Sequence, residues 1–149
     1  MVTTDVSRVF VDTNILVSAL LPESPRYFHA RGILRRLAEA DAEVWISRQV
    51  IREYLATMTR YEPLWNDVTR ATLIDSGRTL ERHYFVAEDL PLVAEQLYFL
   101  LGQVPTGGKQ VHDANIVATM IAYDVRMLLT YNLADFKRFS GFIEIADNL

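Results

Sequence analysis

The chain has 149 residues, a length that suits one domain. Half of the residues are hydrophobic, 23% are charged and none is cysteine, which excludes a disordered chain, a disulfide scaffold, a thiolate zinc site and a cysteine nucleophile. The formal net charge of -4, from 15 basic and 19 acidic residues, excludes nucleic-acid binding by bulk positive charge but leaves room for a local basic surface.

The first residues, Met1 to Arg8, are polar and carry no apolar core of signal-peptide length. The longest mostly apolar stretches, Ile15 to Leu21 and Ile116 to Ala122, fall short of the about 20 residues that a bilayer requires. A soluble cytoplasmic protein is therefore expected. Val9 to Val11 reads as a short strand ending at Asp12, and Thr13 to Leu21 as a helix stopped by Pro22. Pro25 suits the entry of a second helix, Tyr27 to Ala40, with Phe28, Ile33, Leu34 and Leu37 on one side and Arg31, Arg35 and Arg36 on the other.

Glu43 to Ile46 is a second strand. Ser47 is placed to cap a helix from Arg48 to Thr59, whose apolar residues recur at three- and four-residue steps until Pro63 breaks the pattern. Asn66 to Arg78 reads as helix, Tyr84 to Val86 as strand, and Pro91 opens a helix to about Leu101. Gly102 to Gln110 is a loop. Val111 to Tyr123 is a helix, Met127 to Thr130 a strand, Leu133 to Phe139 a short helix and Phe142 to Ile145 a last strand. Strands alternating with helices predict an α/β fold, a three-layer α/β/α sandwich around a central, mainly parallel sheet. In such sheets ligands sit beyond the carboxyl ends of the strands.

Acids gather at those ends. Asp12 follows the first strand, Glu53 lies in the helix after the second, Asp113 opens the helix after the glycine-containing loop, and Asn132 and Asp135 follow the strand ending at Thr130. Carboxylates held together raise one another's pKa unless a cation is present, and hard ions such as Mg²⁺ or Mn²⁺ favour oxygen ligands. Each acid also has a plainer reading. Asp12 serves equally as a cap for the helix at Thr13. Glu53, among Arg48 and Arg52 on an amphipathic helix, reads singly as a solvated surface acid. Asp113 sits favourably near a helix start, and Asn132 to Asp135 fits a capping box. Only the joint placement points to chemistry.

Four segments carry a resemblance. Val11-Asp12-Thr13-Asn14 resembles the opening motif of PIN-domain ribonucleases, and Glu53 falls where that family places its helical glutamate. Val111-His112-Asp113-Ala114-Asn115-Ile116 resembles the third motif, and Leu128 to Phe136 the fourth, in the variant form T-x-N-x-x-D-F. The order and spacing extend over nearly the whole chain, residues 1–149 read as a single PIN domain, and the size is most similar to the VapC toxins of toxin–antitoxin pairs.

The resemblance implies a Mg²⁺- or Mn²⁺-dependent endoribonuclease in which Asp12, Glu53, Asp113 and Asp135 form the acidic site, holding the metal directly or through water. Where one common form of the family has its fourth acid, this chain has Asn132, and Asp135 is favoured in its place. Thr13, Asn14, Thr130 and Asn132 would orient the carboxylates by hydrogen bonds. His112, beside Asp113, reads as structural, and His29 and His83 have no partner visible in the sequence. Arg48, Arg52 and Lys109 are candidates for guiding RNA phosphates, with an ordinary solvated surface charge as the alternative for each. The family also implies a homodimer and a VapB-like antitoxin. Two alternatives remain, an RNA-processing PIN nuclease outside any toxin system and a binding module that no longer cleaves. Setting the four acids aside leaves 15 acidic and 15 basic residues, so total charge does not decide RNA binding.

Overall fold

The computed structural model describes residues 7–65 and 69–149. The strands are β1 (Arg8–Val11), β2 (Glu43–Ser47), β3 (Phe85–Ala87), β4 (Met127–Leu129) and β5 (Glu144–Ala146). The helices are α1 (Thr13–Leu20), α2 (Tyr27–Glu39), α3 (Arg48–Tyr61), α4 (Arg70–His83), α5 (Pro91–Gln103), α6 (Gln110–Ala122) and α7 (Leu133–Phe136). All strand pairs are parallel, in the order β3-β2-β1-β4-β5, with Phe10 of β1 facing both Trp45 of β2 and Leu128 of β4. On the helical layers α1 packs on α2 and α3, and α3 on α4, while α5 packs on α6 and α6 on α7. The result is the expected α/β/α sandwich. No helix among the described residues is long and apolar enough to cross a membrane.

The central strands are apolar runs because both of their faces are covered. Val9, Phe10 and Val11 of β1 and Leu128 and Leu129 of β4 are at most 1% exposed. Local chemistry sets the helix ends. The Ser47 hydroxyl accepts from the Val50 N–H at 3.2 Å, and the Thr69 hydroxyl from the Thr72 N–H at 3.2 Å, so each satisfies a donor that the first turn leaves unpaired. Pro63 lies in a 3₁₀ turn, Glu62–Leu64, that ends α3, and Pro91 occupies the first turn of α5. Gly77 lets α4 approach α3 closely, since a Cβ there would stand 3.2 Å from the Leu55 side chain.

Several boundaries differ from the sequence reading. The expected helix start at Asn66 lies outside the described residues. At its other end that helix runs past Arg78 to His83, because Leu80 continues the buried side made by Leu73 and Gly77. The last strand starts at Glu144 rather than Phe142. The Phe142 and Ile143 N–H groups both turn back to the Phe139 carbonyl, at 2.9 and 3.2 Å, and so are not free for a sheet.

The strand order reverses direction between β1 and β4, because the chain builds outward from β1 to β3 on one side and then adds β4 and β5 on the other. That switch point opens a crevice at the carboxyl ends of β1 and β4. The sheet depends on its centre. Leu128→Ala, at a wholly buried position, is expected to cost about 3 kcal/mol, read as a lower urea midpoint at unchanged slope.

Candidate active site

Asp12 stands at the end of β1 and is 5% exposed. Its carboxylate accepts from the Thr13 N–H at 2.8 Å, from the Thr130 hydroxyl at 2.8 Å and from Asn14 Nδ2 at 3.1 Å. The Thr130 hydroxyl in turn accepts from the Asn132 N–H at 3.0 Å, and Asn14 Oδ1 accepts from the Tyr131 N–H at 3.0 Å. The ends of β1 and β4 are thus joined through one carboxyl group. Burial pushes the Asp12 pKa up to about 6; the bonds from Thr130 and Thr13 oppose this, and the nearby Glu53 and Asp113 charges add to it.

Glu53 reaches the same crevice from α3. The Thr13 hydroxyl donates to Oε2 at 2.7 Å, and Gln49 Nε2 donates to Oε1 at 2.9 Å. Asp113 enters from the first turn of α6. Its pKa is raised, mainly by desolvation and then by the charges of Asp135 and Glu53, against the lowering influence of Arg138 and His112. The fold therefore brings Asp12, Glu53 and Asp113 within electrostatic reach of one another, and Asp135 within reach of Asp113. Among the described residues, none of the four forms a salt bridge with a basic side chain.

Asp12 does cap α1, so its plainer reading is correct. Asn132 occupies the cap position of α7, but its side chain makes no capping bond. Its contribution is the backbone N–H that steadies Thr130. Arg48 is bound to Glu81 at 2.6 Å and Glu88 at 2.8 Å, which hold its guanidinium well above its ordinary pKa, and Arg52 pairs with Asp89 at 3.1 Å. Acids already answer both charges. Lys109 is exposed at the start of α6 and forms no salt bridge among the described residues.

Gln49 escaped the sequence reading. It is 6% exposed, and besides holding Glu53 its Nε2 donates to the His112 carbonyl at 2.9 Å, while its Oε1 accepts from Asn115 Nδ2 at 2.8 Å. One amide thereby ties α3 to α6, the helices that carry Glu53 and Asp113. Its position four residues before Glu53, on the same helix face, was the available signal. Arg138, which electrostatically favours charged Asp113, was also missed. It is anchored by Gln110 at 2.6 Å.

The family model for the PIN domain matches residues 9–141. The chain belongs to the PIN domain family. Solved structures agree on the fold. VapC20 of Mycobacterium tuberculosis, a toxin that cleaves the sarcin–ricin loop, has a TM-score of 0.62 at 19% identity, over 91% of this chain and 97% of that one. VapBC-1 of nontypeable Haemophilus influenzae has a TM-score of 0.66 at 14% identity, over 93% and 96%. VapBC2 of Rickettsia felis, bound to a promoter DNA fragment, has a TM-score of 0.64 at 18% identity, over 93% and 97%. No curated protein matches the sequence significantly.

PIN nucleases generally use a divalent ion, and the donor chemistry at this crevice suits one. The side chains are hard, anionic oxygen donors whose mutual repulsion a cation relieves. Among the described residues no group of three or more Asp, Glu, His or Cys is arranged to hold a metal ion, and Mg²⁺ is usually held by one or two carboxylates together with several waters.

The pH dependence follows from burial. Folded Asp12 keeps its proton up to about pH 6, whereas its ordinary pKa is 3.8. The proton therefore favours folding below about pH 4, and this contribution is lost as the pH rises to about 6. Without a divalent ion, the stability of the unsubstituted chain relative to Asp12→Asn is expected to fall by about 3 kcal/mol across that window, measured by denaturant unfolding at a series of pH values.

Proposed function

We propose that this PIN domain is a Mg²⁺- or Mn²⁺-dependent endoribonuclease, the toxin of a VapBC-type pair. The observation that carries the reading is the electrostatic coupling of Asp12, Glu53 and Asp113, extended to Asp135 through Asp113, with the Asp12 pKa raised to about 6 and none of these acids in a salt bridge among the described residues. A structural role alone does not explain why so much like charge is gathered in a partly desolvated site. The electrostatic effect of Asp135 on Asp113 supports cleavage over a binding-only role, because it supplies a fourth acid where Asn132 does not.

In this reading Asp12, Glu53 and Asp113 hold the ion, with Asp135 acting directly or through water. When bound, the ion supplies Lewis acidity toward a phosphodiester and offsets the carboxylate charge. The chain's own groups prepare that site. Thr130 and Asn14 fix the rotation of the Asp12 carboxylate. Thr13 and Gln49 each hold one oxygen of Glu53, so this carboxylate cannot swing away. Lys109 is free to meet a phosphate.

A VapB-like antitoxin, a homodimer and a cytoplasmic setting belong to the same proposal. The likeness to toxin–antitoxin complexes supports the antitoxin. An antitoxin that places a basic side chain in the acidic crevice would silence it by replacing the ion's charge.

The test is purified protein with Mn²⁺ and structured RNA. Asp113→Asn is expected to slow cleavage by more than about 100-fold, beyond the ~10–100-fold typical of supporting residues, and chelation is expected to stop it. Equal cleavage by both proteins, with contaminating nucleases excluded, overturns the assignment. Gln49→Ala is expected to weaken Mn²⁺ binding by about 10-fold, measured by titration calorimetry.

A further inference from the structure

A second group of side chains is linked to the acidic site through the backbone that follows β4. Tyr131 directly follows Thr130, and its N–H is bonded to Asn14, which is itself bonded to Asp12. The Tyr131 backbone thus borders the acidic site, and its ring packs against the start of α2. Arg26 lies over this ring with its guanidinium carbon 4.1 Å from the centroid. His29 Nδ1 is 2.7 Å from the Tyr131 hydroxyl oxygen, with the ring centroids 5.7 Å apart. Arg26 and His29 come from the start of α2, more than a hundred residues away in sequence, and both are exposed.

Neither Arg26 nor His29 forms a salt bridge among the described residues, in contrast to Arg48 and Arg52. Among the described residues the one acid that acts on this group is Asp147, felt by Tyr131, and it forms no salt bridge with Arg26 or His29. A guanidinium resting on a tyrosine offers its outer face to a flat π system and its edge to a phosphate. Beside a phosphodiester-cleaving centre, the ligand with both features is a nucleotide whose base is unpaired, because duplex bases are already stacked on their neighbours. We infer that Arg26, His29 and Tyr131 form a nucleotide subsite, where an unpaired base next to the scissile phosphate stacks on the Arg26–Tyr131 pair and its phosphate meets Arg26 and His29. The inference rests on the nuclease reading.

The experiment measures binding of a short fluorescent single-stranded oligoribonucleotide by anisotropy, in EDTA, at several salt concentrations. Arg26→Ala is expected to weaken binding roughly tenfold and to flatten the logarithmic salt dependence by about 0.7. Arg26→Lys is expected to keep that slope and still lose most of the affinity, since an ammonium carries the charge but offers no planar face. Binding of a duplex of the same sequence is expected to change far less than that of the single strand. Circular dichroism identifies any variant that fails to fold, and the two Arg26 variants, altered at an exposed position, carry the test. If both bind the strand as tightly as the unsubstituted chain, the subsite is overturned. Parallel Mn²⁺ assays separate the two proposals. Cleavage by the unsubstituted chain together with unaltered Arg26 variants overturns the subsite alone, whereas an unsubstituted chain that neither binds nor cuts RNA overturns both.

Discussion

The structure depends on a buried carboxylate at its centre. Asp12 follows the most covered strand of the sheet, where desolvation opposes its charge, and three neighbouring donors hold that charge in place. Those donors come from both sides of the switch point. Thr13 and Asn14 belong to α1, whereas Thr130 directly follows β4, so the pairing of β1 with β4 and the orientation of the carboxylate are a single arrangement. A parallel pair provides this naturally, because both strands finish at the same edge.

The other acids reach the crevice by different routes. Glu53 is held by a hydroxyl from α1 and an amide from its own helix, and the same amide grips α6. Packing alone leaves helices some freedom to slide. A buried amide with both ends bonded to specific partners removes it, because any slide leaves polar groups unpaired. On the far side of α3, Arg48 is tied to Glu81 of α4 and to Glu88 just after β3. The helix carrying Glu53 is therefore fixed against three neighbouring elements.

Much of this was legible in the sequence. β1 and β4 showed as apolar runs because strands covered on both faces have few polar positions, and Ser47 announced α3 because a cap is a local interaction. Asp12 and Asp113 stood out because one follows a strand end and the other lies in the first turn of a helix, whereas Glu53, in the second turn of α3, gave a weaker signal. The exposed edge strands were placed less well. β5 has one exposed and two half-covered residues, and where it begins depends on how Phe142 and Ile143 turn back to Phe139. The partners of Arg48 and Arg52 were out of reach for another reason. Their acids lie 33 to 40 residues away, and only the folded chain brings them together. Gln49 was hidden in the same way, since a glutamine on a helix looks solvated until its partner on α6 is known.

Asp12 has two duties on one side chain. One oxygen receives the first N–H of α1, and the other receives Thr130 and Asn14. A chain altered there changes its folding and its chemistry together. Asp113 is different, because α6 starts without any side-chain cap. Under the proposed function, a change at Asp113 would remove no helix cap, whereas a change at Asp12 would, so the fold would separate a position where loss of activity is also loss of structure from one where it is loss of activity alone.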